Sequence, residues 1–427
     1  MTSEWAIAPS SDRLQRNGRD TFLLADTLWA AFTTPTLEEW RECVALRARQ
    51  GFTGTLISVL PIAHDRSEAA REPFSRDEDG VVQLGELTAE YVDNARAVLR
   101  TVRESGLTPV LVLLWLNYVP ETWGSGLTPE LAMSEEQTLR YLRTAVAAFD
   151  EFDPIYVLSG DEKFDSPVAV ERYSLAGREV RRLAPDALIS LHPHPEGVLP
   201  ASIAESDIVD FYAFQSGHGG PWDTLPRDLS HQYLELPARP IMNLEPCYEG
   251  HGRDKGTARH RARDVRRASW SSILSGAGAG LAYGAHGAWS WHRRGKGFLG
   301  EGFSGTPYPA SIALTFPGAW DVGYLRQLVE EHALWALRDD PSLLVNDASG
   351  AEIARDLTTG SIVIYSPEPF GLTVGIAWGS YSLTCYNLET RMRENVRSHA
   401  MEVDDVEVVR IEQPDFLADS VYVFELL

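Results

Sequence analysis

The sequence contains little cysteine, and its three cysteines are far apart. Cys43, Cys247 and Cys385 lie on distant segments of the 427-residue chain, and no Cys-x-x-Cys spacing occurs. A disulfide framework needs several paired cysteines and a thiolate zinc site needs close spacing, so we expect neither. This cysteine usage fits a reducing compartment.

Long apolar runs and a surplus of basic residues are also absent. The first ten residues have no basic or apolar segment of the signal-peptide type, and no stretch is long enough to cross a bilayer. Lys and Arg number 38 against 61 acidic residues, and the net charge of −23 repels nucleic acid and anionic membranes. The sequence therefore predicts a cytoplasmic protein that binds neither, and it leaves the oligomeric state open.

Short apolar runs alternate with helical segments from residue 20 to about residue 335. The eight runs are Thr21 to Asp26, Phe52 to Leu60, Thr108 to Trp115, Ile155 to Asp161, Leu188 to His192, Ile208 to Gln215, Pro240 to Glu245 and Gly280 to His286. Parallel strands that are buried on both faces have this near-continuous apolar character. Regular alternation predicts an α/β fold, and eight units favour a closed (β/α)8 TIM barrel.

The pattern changes after about residue 340, where helical periodicity ends. Short alternating runs separated by turn residues follow, as in a small antiparallel β-sandwich. We therefore predict two domains, a catalytic barrel at residues 1–338 and a C-terminal all-β sandwich at residues 339–427.

Two common motifs are missing, and their absence narrows the chemistry. No Gly-x-Gly-x-x-Gly follows the first strand, which disfavours dinucleotide binding. The Gly-x-Ser-x-Gly motif of serine hydrolases is also missing, which disfavours that class of enzyme. We predict no cofactor.

Two carboxylates stand where predicted strands end. Asp161 closes the fourth run and Glu245 closes the seventh, and the carboxyl ends of barrel strands carry the catalytic residues. Two carboxyl groups facing one glycosidic bond suffice to hydrolyse it, with retention at a separation of about 5–5.5 Å and inversion at about 6.5–9.5 Å. We assign Glu245 as nucleophile and Asp161 as general acid and then base. In the structural alternative, Asp161 caps the next segment and Glu245 pairs with an arginine such as Arg253.

Further polar and aromatic residues are expected around the same mouth, where they would bind sugar hydroxyls and stack on sugar rings. These predicted substrate-binding residues are Asp26, Trp29, Trp115, Asn117, Glu162, His192, His194, Gln215, His218, Tyr248, Glu249, His286, Trp289 and Trp291. Glu162 follows Asp161 directly, so we expect its side chain to point the opposite way.

The histidines permit a metal-dependent alternative. His192 and His194 have the His-x-His spacing of some barrel metal sites, and His218 or His286 could add a ligand. No lysine lies at the end of a central strand to bridge two metals. We predict no metal, and we expect the histidines to hydrogen-bond substrate or the carboxylates.

The chain also resembles the apiosidase-like glycoside hydrolases (glycoside hydrolase family 140) in an ordered set of motifs between residues 17 and 335. The opening segment Asn17 to Trp29 is similar to the family pattern NGKPFFWLGDTAW. The other motifs are Ser159 to Asp161, Leu191 to His194, Phe214 to His218, Asn243 to Glu249, Arg266 to Trp270, Tyr283 to Trp289 and Pro317 to Leu325. The resemblance implies a (β/α)8 barrel followed by a small collagen-binding-like β-sandwich, with Asp161 as acid/base and Glu245 as nucleophile.

The sequence departs from the family pattern next to the expected pocket. Ser159-Gly-Asp-Glu162 replaces the Gly-Gly-Asp followed by Arg or Asn of the family, and residues 293–309 also differ. We expect an exo-acting, retaining hydrolase that removes a terminal pentose or furanose-type sugar, apiose-like or arabinofuranose-like, from an oligosaccharide or plant glycoside. A non-catalytic carbohydrate-binding barrel and a metal-dependent hydrolase using His192, His194 and His218 remain the alternatives.

Overall fold

The computed structural model describes residues 3–253, 257–348, 350–403 and 406–427. The first two residues of the predicted barrel domain lie outside these ranges. The chain opens with a three-stranded antiparallel sheet that the sequence pattern did not indicate. Its strands are β1 (Trp5–Ile7), β2 (Leu14–Arg16) and β3 (Arg19–Asp20). Trp5 donates from its indole Nε1 to Thr108 Oγ1 at 2.9 Å, where a barrel strand begins, so this sheet covers the amino-terminal end of the barrel.

Eight parallel strands form the centre of the molecule, as predicted. They are β4 (Leu23–Thr27), β5 (Gly54–Ser58), β6 (Thr108–Trp115), β7 (Ile155–Gly160), β8 (Ile189–Ser190), β9 (Tyr212–Gln215), β10 (Ile241–Glu245) and β13 (Gly280–Tyr283). The sheet order β8-β7-β6-β5-β4-β13-β10-β9 brings the last strand back to the first. Between β8 and β9, Asp210 N donates to Ile189 O at 2.9 Å. The fold is therefore a nearly closed TIM-like barrel.

The fifth strand is shorter than its apolar run because a side chain takes over its hydrogen bonds. The run reaches His192, whereas β8 ends at Ser190. The Ser159 hydroxyl accepts from His192 N at 2.9 Å and donates to His192 O at 3.0 Å. A side chain on β7 thus holds the backbone that leads into the His192–His194 segment.

Helices lie between the strands and begin where polar side chains cap them. The larger ones are α1 (Leu37–Arg49), α2 (Ala89–Glu104), α4 (Glu135–Phe149), α5 (Pro167–Leu183), α7 (Leu225–Leu234), α8 (Ala262–Leu274) and α11 (Gly318–Glu331). The short ones are α3 (Trp123–Leu127), α6 (Ala201–Ala204), α9 (Glu301–Ser304) and α10 (Ala310–Ala313). Thr36 and Glu39 form a capping box at α1, and Ser166 caps α5, which has proline at its first position. A two-stranded hairpin, β11 (Gly252–Arg253) with β12 (Ala258–Arg259), precedes α8.

The C-terminal region is antiparallel and all-β. A six-stranded sheet contains β14 (Leu337–Asp339), β15 (Glu352–Asp356), β16 (Ile362–Ser366), β18 (Tyr381–Asn387), β19 (Met392–Glu394) and β22 (Ser420–Leu426). A three-stranded sheet contains β17 (Leu372–Val374), β20 (Ser398–Val403) and β21 (Val406–Ile411). The predicted boundary between residues 338 and 339 falls within β14.

Alternating residues explain how the sandwich attaches to the barrel. On β22, Val421 and Val423 belong to the same buried core as the barrel, whereas Tyr422 and Phe424 face the interior of the sandwich. Side chains on a strand point alternately to opposite faces, so one sheet serves both cores. None of the helices in the described ranges is long and apolar enough to cross a membrane.

Candidate active site

A cavity of about 590 Å³ opens at the carboxyl ends of the barrel strands. Its wall contains nine of the predicted site residues, namely Trp29, Trp115, Asp161, His194, Gln215, His218, Glu245, Tyr248 and Trp289. It also contains Ile62, His64, Asp65, Trp123, Pro195, Glu196, Gly219, Gly220, His251, Gly300 and Phe303. The two predicted catalytic carboxyl groups therefore line one cavity.

Glu245 ends β10 with its carboxylate held by hydrogen-bond donors. His218 Nε2 lies 2.9 Å from Glu245 Oε1, and His192 Nε2 lies 3.5 Å from Oε2. Burial raises the pKa of Glu245, while His192 and the Tyr248 and Gln215 side chains oppose the rise. Several groups thus stabilise the charged form of this buried carboxylate.

The tautomer of His218 follows from its backbone contact. Tyr248 N–H donates to His218 Nδ1 at 3.1 Å, so that nitrogen carries no proton. Burial lowers the pKa of His218 well below its ordinary value, and the ring is therefore neutral with its single proton on Nε2. His218 consequently donates to Glu245 and holds the carboxylate in place, and because the ring keeps its proton on Nε2, the carboxylate stays charged.

Asp161 follows β7 and is held differently. Its backbone is left-handed, with φ of 60°, a conformation that aspartate and asparagine adopt more readily than other non-glycine residues. Its carbonyl accepts from Trp123 Nε1 at 3.4 Å, whereas its buried Oδ1 has no hydrogen-bond partner. Burial, and then the charge of Glu245, raise the pKa of Asp161 to about 6.

The two carboxyl groups therefore differ in which protonation state they favour. Glu245 has donors that favour the anion, and Asp161 has none on its buried oxygen and feels the negative charge of Glu245. Neighbouring carboxyls with different environments separate into a charged and a protonated member. This pair can supply a nucleophile and a proton donor to one bond.

Aromatic rings form much of the surrounding wall. The Trp29 and Trp115 rings meet edge to face at 5.1 Å, and the buried His192 imidazole stacks on Trp29 at 6.1 Å. Trp123 meets His64 at 4.6 Å on another side of the cavity. Apolar ring faces with polar edges suit the alternating apolar and hydroxyl surfaces of a sugar.

Seven predicted substrate-binding residues are absent from the described cavity wall. They are Asp26, Asn117, Glu162, His192, Glu249, His286 and Trp291. Asp26 is fully buried and accepts from Arg47 Nε at 2.6 Å, so it neutralises a buried guanidinium. Trp291 packs against Trp40, with ring centroids 6.1 Å apart.

The other acidic and polar members of this set hydrogen-bond to other parts of the chain. Glu162 points away as expected and accepts from Phe164 N at 2.8 Å, while Glu249 accepts from Tyr283 Oη and Gly318 N. His286 Nε2 contacts the Gly305 carbonyl at 2.8 Å. Asn117 Oδ1 lies 2.9 Å from His64 Nδ1 and positions that cavity residue. His192 is absent from the cavity wall, and its Nε2 lies 3.5 Å from Glu245 Oε2.

Several cavity residues were not found by sequence reasoning. His64, Asp65 and Glu196 come from loops, and Trp123 and Phe303 come from the short helices α3 and α9. All five lie beyond the strand ends that the sequence pattern marks. The sequence could have indicated His64 and Asp65, because they closely follow the second apolar run within a long polar loop.

The histidines of the metal hypothesis have other partners. His218 contacts Glu245, His194 Nδ1 contacts the Pro195 carbonyl at 2.8 Å, and His192 lies against Trp29 and Glu245. Within the described part of the chain, no group of three or more His, Cys, Asp and Glu side chains is arranged to hold a metal ion.

A larger cavity, about 820 Å³, lies where the barrel meets the sandwich. Its wall includes Glu249 and Asp419, but both carboxylates already have partners, Tyr283 with Gly318 for the former and Arg266 for the latter. The cavity with Asp161 and Glu245 is therefore the better candidate for chemistry.

Comparisons with known proteins identify the family of the barrel and bear out the fold. A family model described as "Apiosidase-like, catalytic domain" matches residues 10–336. A solved structure described as "Glycoside hydrolase" is 19% identical with a TM-score of 0.79, covering 99% of this chain and 97% of that one. A glycoside hydrolase family 5 protein from Bacteroides vulgatus ATCC 8482 is 18% identical with a TM-score of 0.80, covering 99% and 93%. At such identities the structural likeness concerns the fold. No curated protein sequence matches significantly.

Proposed function

Because this chain belongs to the apiosidase-like glycoside hydrolases, we propose that it removes a terminal pentose or furanose-type sugar from an oligosaccharide or plant glycoside, with retention at the anomeric carbon. One observation carries the proposal. A single cavity is lined by two strand-end carboxyl groups, of which Glu245 is supplied with hydrogen-bond donors and Asp161 is not.

The proposed first step forms a bond to Glu245 and breaks the glycosidic bond. Glu245 attacks the anomeric carbon while Asp161 gives its proton to the departing oxygen, which leaves as an alcohol. Proton donation prevents an alkoxide from forming, and the neutral His218 leaves the attacking carboxylate unprotonated. The product is a glycosyl ester on Glu245 with Asp161 as carboxylate.

The second step reverses these roles. Asp161 takes a proton from a water molecule that attacks the same anomeric carbon, and Glu245 leaves as a carboxylate. Two displacements at one carbon restore the original configuration. Large side chains on the short helices α3 and α9, Trp123 and Phe303, border the cavity and support exo action on a chain end.

We expect NMR spectra recorded early in the hydrolysis of a nitrophenyl glycoside to show the first product with the anomeric configuration of the substrate. The substrate would come from a panel of pentofuranosides and pentopyranosides, including apiofuranoside and arabinofuranoside. The opposite anomer appearing first would overturn the retaining mechanism. No turnover of any glycoside, before or after chelator treatment and metal readdition, would overturn the proposed activity.

The pH dependence should report Asp161. Its pKa is raised to about 6 by burial and by Glu245, and the proton donor works only while protonated. We therefore expect kcat/KM for a substrate with a poor leaving group to fall as pH rises above about 6. With a dinitrophenyl glycoside, whose leaving group needs no proton, this decline should be much weaker. An equal decline for both substrates would assign the titration to another group.

A further inference from the structure

Asp65 is a third carboxyl group in the cavity, and the proposed mechanism does not use it. It lies on the loop that follows β5, in the wall that also contains Asp161 and Glu245. It also borders a smaller recess beside Trp29 and Trp289. Asp65 therefore lies near the two catalytic carboxyls and the aromatic wall together.

The loop around Asp65 is fixed on both sides. His64 Nδ1 lies 2.9 Å from Asn117 Oδ1, and Arg66 O accepts from Leu299 N at 2.9 Å. Ser67 Oγ lies 2.9 Å from His292 Nδ1. These contacts hold the backbone next to Asp65, so the carboxyl group is positioned before any ligand arrives.

One oxygen of the Asp65 carboxyl group is buried without a partner, while the residue as a whole is only partly buried. Asp65 Oδ1 has no solvent exposure and no hydrogen bond. Gly300 approaches it so closely that a Cβ there would lie 2.2 Å from Oδ1, and Gly300 has a positive φ of 88°. A side chain at residue 300 would be strained by this backbone angle and would push the carboxyl group away. A carboxyl group with a buried, unpartnered oxygen is costly. Because Oδ1 is covered, a ligand in the cavity reaches the same carboxyl group through Oδ2, which is not among the buried oxygens, and its donors offset that cost.

The negative charges of Asp161 and Glu245 also disfavour a second charge on Asp65. Burial, and then the charges of Asp161 and Glu245, raise the pKa of Asp65 to about 7. A sugar hydroxyl is neutral and donates, so it satisfies Asp65 without disturbing the charges of the catalytic pair. A cationic ligand is not required, and an anionic one would be repelled.

We propose that Asp65 accepts hydrogen bonds from free hydroxyl groups of the terminal sugar, and so makes the cavity select glycosides whose terminal unit is unsubstituted at those hydroxyls. This inference rests on the proposed function and names the substrate feature that the same site reads. A site built to bind a hydroxyl rejects the analogue that lacks it, because its own polar group is then left buried and unpaired.

The test combines variants with deoxygenated substrates. Asp65→Ala and Asp65→Asn would be assayed on the nitrophenyl glycoside that the unmodified protein cleaves fastest and on each of its monodeoxy analogues. We expect Asp65→Ala to lower kcat/KM by about 100-fold on the complete substrate, but by less than about 5-fold on the analogue lacking the recognised hydroxyl. Glu68→Gln, an exposed position on the same loop paired with Lys296, should stay within about 2-fold of the unmodified protein.

An effect of the substitutions on folding can be measured separately from their effect on activity. Because the pKa of Asp65 is raised from 3.8 to about 7, the folded state binds the extra proton, and the stability contribution of Asp65 falls as pH rises between these values. Asp65→Asn should therefore melt no lower than the unmodified protein at pH 8. Equal losses on complete and deoxy substrates would overturn the inference, as would full activity of Asp65→Ala. Absence of turnover in the unmodified protein would instead overturn the proposed function.

Discussion

Replacing Glu245 with glutamine is expected to lower kcat by about 10⁵-fold on any glycoside that the protein cleaves, because the amide cannot form the glycosyl ester. The substitution keeps the size of the side chain, and His218 Nε2 can still donate to the amide oxygen. It also removes a buried charge whose pKa is raised by burial, so the variant should fold. Burst and steady-state kinetics on an aryl glycoside measure the effect.

Asp161→Asn should behave differently from Glu245→Gln. General acid catalysis contributes about 10²–10⁴-fold, and the loss should be large only for poor leaving groups. With a dinitrophenyl glycoside the first step should survive, while the second slows because no base activates water. Adding azide, which needs no base, should then restore turnover and give a glycosyl azide.

Glu162→Gln is the matched control. This carboxyl group is next to Asp161 in sequence, yet it is buried and accepts from Phe164 N, away from the cavity wall. We expect its activity to stay within a few-fold of the unmodified protein. Comparable losses at residues 161 and 162 would contradict the assignment of Asp161, and substantial turnover by Glu245→Gln would contradict that of Glu245.

The second large effect concerns stability at the junction of barrel and sandwich. Arg266 on α8 donates to both oxygens of Asp419 and, at 2.9 Å, to Asp321. All three side chains are largely buried. Arg266→Met leaves a buried carboxylate, Asp419, without its cation, whereas Arg391 still pairs with Asp321. We expect the free energy of unfolding to drop by about 3–5 kcal/mol, measured by urea denaturation with tryptophan fluorescence.

Arg267→Met provides the comparison on the same helix. Arg267 pairs with Asp223 at 3.1 Å, and both side chains are partly exposed. Solvent weakens such a pair, and the expected loss is below about 1 kcal/mol. If the two substitutions cost the same, the buried cluster is not what joins α8 to the sandwich.

The barrel and its capped helices could be predicted because their signals are local. Thr36 with Glu39, and Ser166 with Pro167, mark helix starts by residue type alone, and eight apolar runs mark the strands. Because the carboxyl ends of barrel strands meet at one mouth, Asp161 and Glu245 were expected to lie together, and both line one cavity. These features depend on residues close together in sequence.

The roles of the other candidate residues depended on partners that sequence spacing does not reveal. Asp26 ends an apolar run of the sequence in the same way as Asp161, but Arg47 Nε of the following helix lies 2.6 Å from its carboxylate and makes it structural. Glu249 is likewise held by Tyr283 and Gly318. Conversely, Asp65 reaches the cavity from a loop whose path is set by contacts with distant segments, such as Arg66 with Leu299.

The left-handed backbone at Asp161 has a consequence for how this protein can change over evolution. Glutamate at residue 161 would keep an acid but strain the main chain by roughly 1–2 kcal/mol, whereas asparagine suits that conformation. Aspartate becomes asparagine by a single nucleotide change. One such change at this position therefore keeps the cavity and removes its proposed proton donor, which is a short route from an enzyme to a lectin-like descendant.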